Sequence, residues 1–355
     1  MKLEKLRRDY RIWDISDLKN MKITDSLDKK KWLEFVEKNS SGNIFHTPYM
    51  MELYENTRKY EPIILAAVDG KEDDILSLIL SVRVRVIGGI PGRLASCAII
   101  FGGVLCDDSE AGRRSLNKLF EYYDRSIKHK VLFTEIRNIF PTDKIKKHLE
   151  AGGWNYEQYN NYLIDLRTSQ ELIFQSFSKS LRRNIRKAKK NGIIVEQIED
   201  KGQLPIFYRM LRETYSKAKV SLADISLFES AFDSLQPRKM VNFFLTRLGD
   251  NYTAGRAVLS YKGSIFDWYA CMNRDYAKFY PNEMLVWHIL NWGIENGFHT
   301  FDFGGAGRPD QKYGVGDFKA RFNGRFVNHG RYMKIHCPNI LRFSRKCYEV
   351  YRRFL

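Results

Sequence analysis

A helix that leads straight into a β-strand occurs twice in this chain, each time behind a run of three strands. This recurrence limits the folds open to it. The first copy has strands at 61–68 (EPIILAAV), 74–87 (DILSLILSVRVRVI) and 94–105 (LASCAIIFGGVL), then a helix over 107–129 and a strand over 131–138 (VLFTEIRN). The second has strands at 240–248, 253–261 and 265–273, then a helix over 282–297 (NEMLVWHILNWGIENG) and a strand over 299–303. Alternation within 74–87 puts Val82, Val84 and Val86 on one face and Arg83 and Arg85 on the other, as in a half-buried strand. Identity between the copies is weak, but the order of elements repeats. The expectation is an α/β (α+β) chain of two related domains, 1–165 and 166–355, each a mixed sheet flanked by helices. A length of 355 residues is enough to bury both cores.

Smaller elements fill the rest. Trp32, Phe35 and Val36 give 28–39 helical spacing, and Thr47 with Pro48 starts another helix. Residues 142–151, 204–218 and 224–235 read as helices, and 156–164 and 193–198 as strands.

Charge narrows the partners. The formal net charge is +17, which favours a polyanion: nucleic acid, a phosphorylated substrate or an anionic membrane surface. The five cysteines are scattered without CxxC spacing, so neither a zinc site nor a disulfide framework is expected. The charged first residues carry no apolar signal core, and no apolar run reaches the roughly 20 residues of a membrane span. A cytoplasmic protein is expected. Walker A, dinucleotide, GxSxG and HExxH motifs are missing, and the seven histidines show no ligand spacing, so no metal is expected.

Two stretches carry the chemistry. In 166–192, Thr168 to Glu171 reads as a capping box. Phe174, Phe177, Leu181, Ile185 and Ala188 then form an apolar stripe on one helical face. The other face holds Arg182, Arg183, Arg186, Lys187, Lys189 and Lys190 with no interleaved acid. Such self-repulsion points to phosphates; the plainer reading is a solvated basic face. The tail 338–355 reads as a second basic helix, open to RNA, a membrane surface or solvent.

The other stretch is Thr300-Phe-Asp-Phe-Gly-Gly305, followed after a glycine-rich loop by Asp317-Phe-Lys-Ala-Arg-Phe322. A strand runs into paired glycines, and Lys319 stands between two phenylalanines. The reading is a flexible rim with one anchored cation; its rival is a βα connection with a surface lysine. One decoy is set aside. Arg85-Val-Ile-Gly88-Gly89-Ile90 approaches the loop that holds the pyrophosphate of coenzyme A, but it lacks a glycine and precedes a strand. The equivalent stretch 273–281 has no glycine at all. Backbone amides at a helix N-terminus bind pyrophosphate, so neither half offers the usual coenzyme A site.

Together these stretches resemble the Fem-type aminoacyltransferases. Leu181-Arg-Arg-Asn-Ile-Arg-Lys-Ala-Lys-Lys-Asn-Gly192 is similar to their R-x-N-I-x-K-A segment, and 282–297 to their N-x-x-L-x-W helix. Phe301-Asp-Phe-Gly-Gly305 is similar to their YDFGG strand end, and Phe318-Lys319 with Phe322 and Gly324 to their FKxxFG. The fit spans about residues 40–335 and is more specific in the second half. Two departures stand out: Asn323 is an insertion before Gly324, and Tyr54 falls near the place of a phosphate-binding lysine.

The resemblance implies two tandem acetyltransferase-like (GNAT) domains and transfer of an aminoacyl group from aminoacyl-tRNA to an amine of a peptide or peptidoglycan precursor. The co-substrate would be aminoacyl-tRNA, with no resident cofactor. The implied catalytic residues are Lys319, for the developing oxyanion, and Asp302, which orients the amine, holds Lys319 or caps the glycine turn. Phe318, Arg321, Asn282, Trp287, Gly304 and Gly305 would line the substrate; by the repeat, Tyr269 and Trp268 face the same cleft and would line the acyl site, with core packing the rival reading for Trp268. Arg182, Arg183, Asn184 and Lys187 would contact tRNA phosphates. A monomer is expected, with peripheral contact to an anionic membrane open. The alternatives are an acyl-CoA-dependent GNAT N-acyltransferase and a noncatalytic RNA- or membrane-binding module.

Overall fold

The computed structural model describes residues 21–70, 73–85, 96–310 and 314–341. The chain forms two compact units: Met1–Met51 with Tyr60–Glu157 and Arg331–Leu355, and Glu52–Lys59 with Gln158–Gly330.

The first unit is built on a mixed sheet of order β1-β2-β3-β4-β6-β15-β7, with β5 paired to β3. Its strands are β1 Lys22–Thr24, β2 Tyr60–Val68, β3 Ile75–Val84, β4 Cys97–Phe101, β5 Leu105–Cys106, β6 Phe133–Arg137, β7 Asn155–Glu157 and β15 Arg331–Ile335. The run expected at 94–105 divides into β4 and β5 because Gly102 and Gly103 take φ of 77° and 93°, which a strand cannot hold. Helix Glu110–Ile127 is capped by Ser109, whose hydroxyl accepts from the amide of Gly112. It buries Leu116, Leu119, Phe120, Tyr123 and Ile127 against Leu65, Ile79, Ile100, Ile136 and Trp154.

The second unit has the sheet order β14-β8-β13-β12-β11-β10-β9. These are β8 Asn160–Asp165, β9 Ile194–Gln197, β10 Val241–Leu248, β11 Asn251–Tyr261, β12 Ser264–Met272, β13 Thr300–Asp302 and β14 Arg325–Asn328. Helix Pro281–Glu295 buries Leu285, Val286, Ile289 and Leu290 in a cluster with Phe244, Val258, Ile265 and Phe301. Truncating one such leucine to alanine costs about 2–5 kcal/mol.

The repeat is visible in the pairing. β4 runs parallel to β6 across helix Glu110–Ile127, and β12 runs parallel to β13 across helix Pro281–Glu295. The neighbouring pairs β2/β3 and β10/β11 are antiparallel. This is the shared strand–helix–strand order seen in the sequence.

The expected boundary at 165/166 shifts. β8 pairs with β13 and β14 and so belongs to the second sheet. β15 pairs with β6 and β7 and so returns to the first. Neither β14 nor β15 is foreseen by alternation, because each is five residues or fewer. The helix expected through 166–192 is two helices, Gln170–Ser176 and Lys179–Lys190. Phe177 is extended between them, and Ser178 recaps the second by accepting from Leu181. Ser169, not Thr168, caps the first. Most of the 85–90 decoy and of the 338–355 tail lies outside the described residues.

Candidate functional site

The site grows from the end of β13. One carboxylate oxygen of Asp302 accepts from the amide of Gly304 at 2.7 Å and from the side-chain amide of Asn161 at 2.6 Å. Asn161 in turn accepts from the amide of Gly305 at 2.9 Å. Both glycines are required by geometry: φ is 71° at Gly304 and 115° at Gly305. A Cβ at Gly304 would lie 2.6 Å from the Asp267 carbonyl oxygen, and one at Gly305 would lie 2.7 Å from the Tyr159 ring. Asp302 and Asn161 thus fold the turn so that the carbonyls of Phe303 and Gly305 converge.

Lys319 fills that convergence. It comes from helix Gly314–Ala320, is only 8% exposed, and donates to the carbonyls of Phe303 and, at 2.7 Å, Gly305. The expected rim cation is therefore a buried one turned back onto the glycine turn, and the surface-lysine reading is excluded. Phe318 and Phe322 hold it as expected: their rings meet edge-on at 5.3 Å, and Phe322 packs on Phe303 at 5.4 Å. Inserted Asn323 takes φ of 54° in the turn that follows. An ammonium has three N–H donors. Two are engaged here.

Burial sets the protonation. Desolvation lowers the Lys319 pKa to about 8, with Arg256 adding to the fall and Asp267 and Asp302 opposing it. Desolvation likewise raises Asp302 to about 6, with Asp267 adding to the rise; the bonds from Asn161 and Gly304 and the charge of Lys319 oppose it. Near neutral pH both groups are mainly ionised.

Behind them lies a charged layer that no motif announces. Arg256 on β11 pairs with Asp267 on β12; their side chains are 2% and 3% exposed. Arg256 also donates to Asn282 at 3.0 Å. Arg256 Nε and one Asp267 carboxylate oxygen are buried without a hydrogen-bond partner. Glu283, buried in the first turn of helix Pro281–Glu295, accepts from Arg321 at 3.1 Å and from Asn184 at 3.4 Å. The Arg321 guanidinium lies 5.1 Å from the centre of the Phe318 ring. No motif in the sequence marks these residues: Arg256 and Asp267 are single charged residues inside largely apolar strands, and Asn161 and Glu283 each follow another polar residue near the start of a strand and of a helix. A charged residue inside an otherwise apolar strand such as β11 is the one signal they leave.

The basic helix Lys179–Lys190 packs its Leu181, Asn184, Ile185 and Ala188 face inward. Arg183, Arg186, Lys187, Lys189 and Lys190 are exposed and Arg182 is half-buried. Arg182, Arg183 and Lys187 thus remain on the basic side of the helix. Asn184 does not: it lies three residues after Leu181, on the apolar stripe, and its amide goes to Glu283. The Trp287 ring packs at 5.1 Å on Phe174 of helix Gln170–Ser176 and at 5.6 Å on Phe177, the residue that ends that helix. Tyr269 contacts Phe228 at 4.9 Å and Tyr215 at 5.9 Å. It pairs with Ala257, one residue out of phase with Arg256, so it faces the opposite side of the sheet from the Lys319 layer. Trp268 also packs on Phe228, because the register slips between Ala257 and Val258.

The place for a pyrophosphate loop is occupied otherwise. Between β12 and helix Pro281–Glu295 lies a 3₁₀ turn, Arg274–Phe279, ending at Tyr280 with φ of 60°. In the first unit, Asp107, Asp108 and Ser109 precede helix Glu110–Ile127. The two carboxylates oppose a diphosphate in the first unit; the turn in the second has no glycine and carries Arg274 and Lys278. Among the described residues no group of histidine, cysteine, aspartate and glutamate could hold a metal ion. No described helix is long and apolar enough to cross a membrane.

Comparison with known proteins bears on this geometry. Residues 175–319 match the family model of the acetyltransferase (GNAT) domain. The crystal structure of FemX is similar with a TM-score of 0.68 at 15% identity, over 91% of this chain and 99% of that one. A tandem GNAT protein from the clavulanic acid biosynthesis pathway has a TM-score of 0.55 at 8% identity, over 89% and 98%. The C-terminal domain of a lysylphosphatidylglycerol synthetase from Agrobacterium fabrum has a TM-score of 0.52 at 14% identity, over 88% and 93%. No curated protein sequence matches the chain. At such identities these structures share the fold.

Proposed function

We propose that this acyltransferase of Fem-like tandem GNAT fold takes its acyl group from aminoacyl-tRNA and delivers it to an amine of a peptide or cell-envelope precursor. The observation that carries the reading is the Lys319 ammonium, desolvated at the glycine turn two residues before Arg321, which shares Glu283 with a helix whose outer face is basic. An aminoacyl ester is already activated, so no covalent enzyme intermediate is needed. A neutral acceptor amine attacks the ester carbonyl and forms the C–N bond. The resulting oxyanion takes the remaining Lys319 N–H. Collapse breaks the ester C–O bond, and the amine proton goes to the departing ribose hydroxyl. Asp302 acts through the turn it caps, and Arg182, Arg183 and Lys187 take phosphates.

An acyl-CoA donor is the second reading. The acetyltransferase description of the matched family model favours it; the glycine-free turn before helix Pro281–Glu295 and the acidic turn before Glu110–Ile127 count against it. The A. fabrum relative is named for a lysine-bearing lipid, which keeps a membrane-borne acceptor within the proposal.

The test is Lys319→Met with charged tRNA and an acceptor peptide. Removing one oxyanion donor lowers transfer by about 10²–10³-fold. Transfer at the wild-type rate would contradict the role given to Lys319.

A further inference from the structure

We propose that Glu283 is a positioning residue that couples donor binding on helix Lys179–Lys190 to the placement of Lys319. The inference rests on the aminoacyl-tRNA reading and extends it to a residue that touches neither donor nor acceptor.

The basic helix and the lysine helix Gly314–Ala320 are far apart in sequence but are joined by three connections. The amide of Ser178, the N-cap of the basic helix, donates to the carbonyl of Arg321 at 3.1 Å. Phe177, just before that cap, meets Phe322 edge-on at 5.2 Å. The third is Glu283: a single carboxylate oxygen accepts from Asn184 of the basic helix at 3.4 Å and from Arg321, two residues after Lys319, at 3.1 Å. The Glu283 side chain is 10% exposed and that of Arg321 is 31%.

A buried carboxylate is costly unless paired, and Glu283 satisfies this by drawing Asn184 of the basic helix and Arg321, the residue after the lysine helix, to one oxygen. Its first-turn place on helix Pro281–Glu295, which has no side-chain N-cap, adds a favourable dipole term. That term alone would explain an acid here, but not why its partners come from the basic helix and from the end of the lysine helix. Phosphates held by the exposed cations of Lys179–Lys190 therefore bear on the helix whose inner face carries Asn184. Through Glu283 and Arg321 the bound position is passed to Phe318 and Lys319.

The experiment compares wild type, Glu283→Ala, Glu283→Gln and the exchange Glu283→Arg with Arg321→Glu. The readouts are retention of uncharged tRNA at low salt, single-turnover transfer from charged tRNA, and melting temperature. Glu283→Ala is expected to keep the tRNA Kd within about threefold while slowing transfer at least about tenfold, the split that marks lost positioning. Glu283→Gln, which keeps the accepting oxygen, recovers most of the rate, and the exchange recovers part of it. The inference is overturned if Glu283→Ala transfers at the wild-type rate, or if its loss of rate follows only its Kd or its melting temperature. Wild-type protein that neither retains tRNA nor transfers from it would instead overturn the donor reading, and the coupling with it.

Discussion

Lys319 and Asp302 hold opposite charges in a place that disfavours both. The folded pKa of Asp302 lies above its unfolded value, so the folded state binds more protons and stability falls as pH rises from about 4 to about 6. The folded pKa of Lys319 lies below its unfolded value, so the unfolded state binds more protons and stability rises from about pH 8 to about 10.5. Between about 6 and 8 both charges are present and the site is at its least stable. That window is where an ammonium is available to an oxyanion and a carboxylate holds the turn. A bell-shaped profile of kcat/KM is expected, with limbs near 6 and 8, and Asp302→Asn should remove the acid limb. A flat profile from 5 to 9 would separate catalysis from both groups. The lysine, its phenylalanine neighbours and the paired glycines were legible in the sequence because they are adjacent. The burial was not: it depends on Arg256, Asp267 and Asn161, which arrive from three different strands.

The basic helix joins two demands in twelve residues. Its inner face is fixed by packing and by Asn184, and its outer face is left to cations. The stripe is readable from spacing alone, and Asn184 belongs to it, since Leu181, Asn184, Ile185 and Ala188 share one buried face at helical spacing. The break at Phe177 was missed because the apolar period continues through it, while Ser178 offers a stronger local cap than helix continuation. If the outer face contacts phosphate, Arg183→Gln with Lys187→Gln weakens tRNA retention across sequences. Each lost contact lowers the slope of log K against log salt by about 0.7–0.9. An unchanged slope would mean that these side chains are only solvated. Trp287 packs on Phe174 and Phe177, just before the cap of this helix.

At the scale of the molecule, the two parallel pairs with crossover helices were legible because element order survives when identity does not. The unit boundary was less so: β15 returns to the first sheet from the far end of the sequence, and no local signal marks such a return. Both units keep the same strand–helix–strand plan, with a glycine-free turn before Pro281–Glu295 and an acidic turn before Glu110–Ile127. The proposed RNA-borne ester and a coenzyme A thioester differ in which donor the protein should accept. The measurement that bears on this most directly offers wild-type protein an amine-bearing acceptor peptide with either labelled aminoacyl-tRNA or labelled acetyl-CoA. Label in the peptide from aminoacyl-tRNA alone, suppressed by added salt, is the predicted result. Label from acetyl-CoA alone would contradict it.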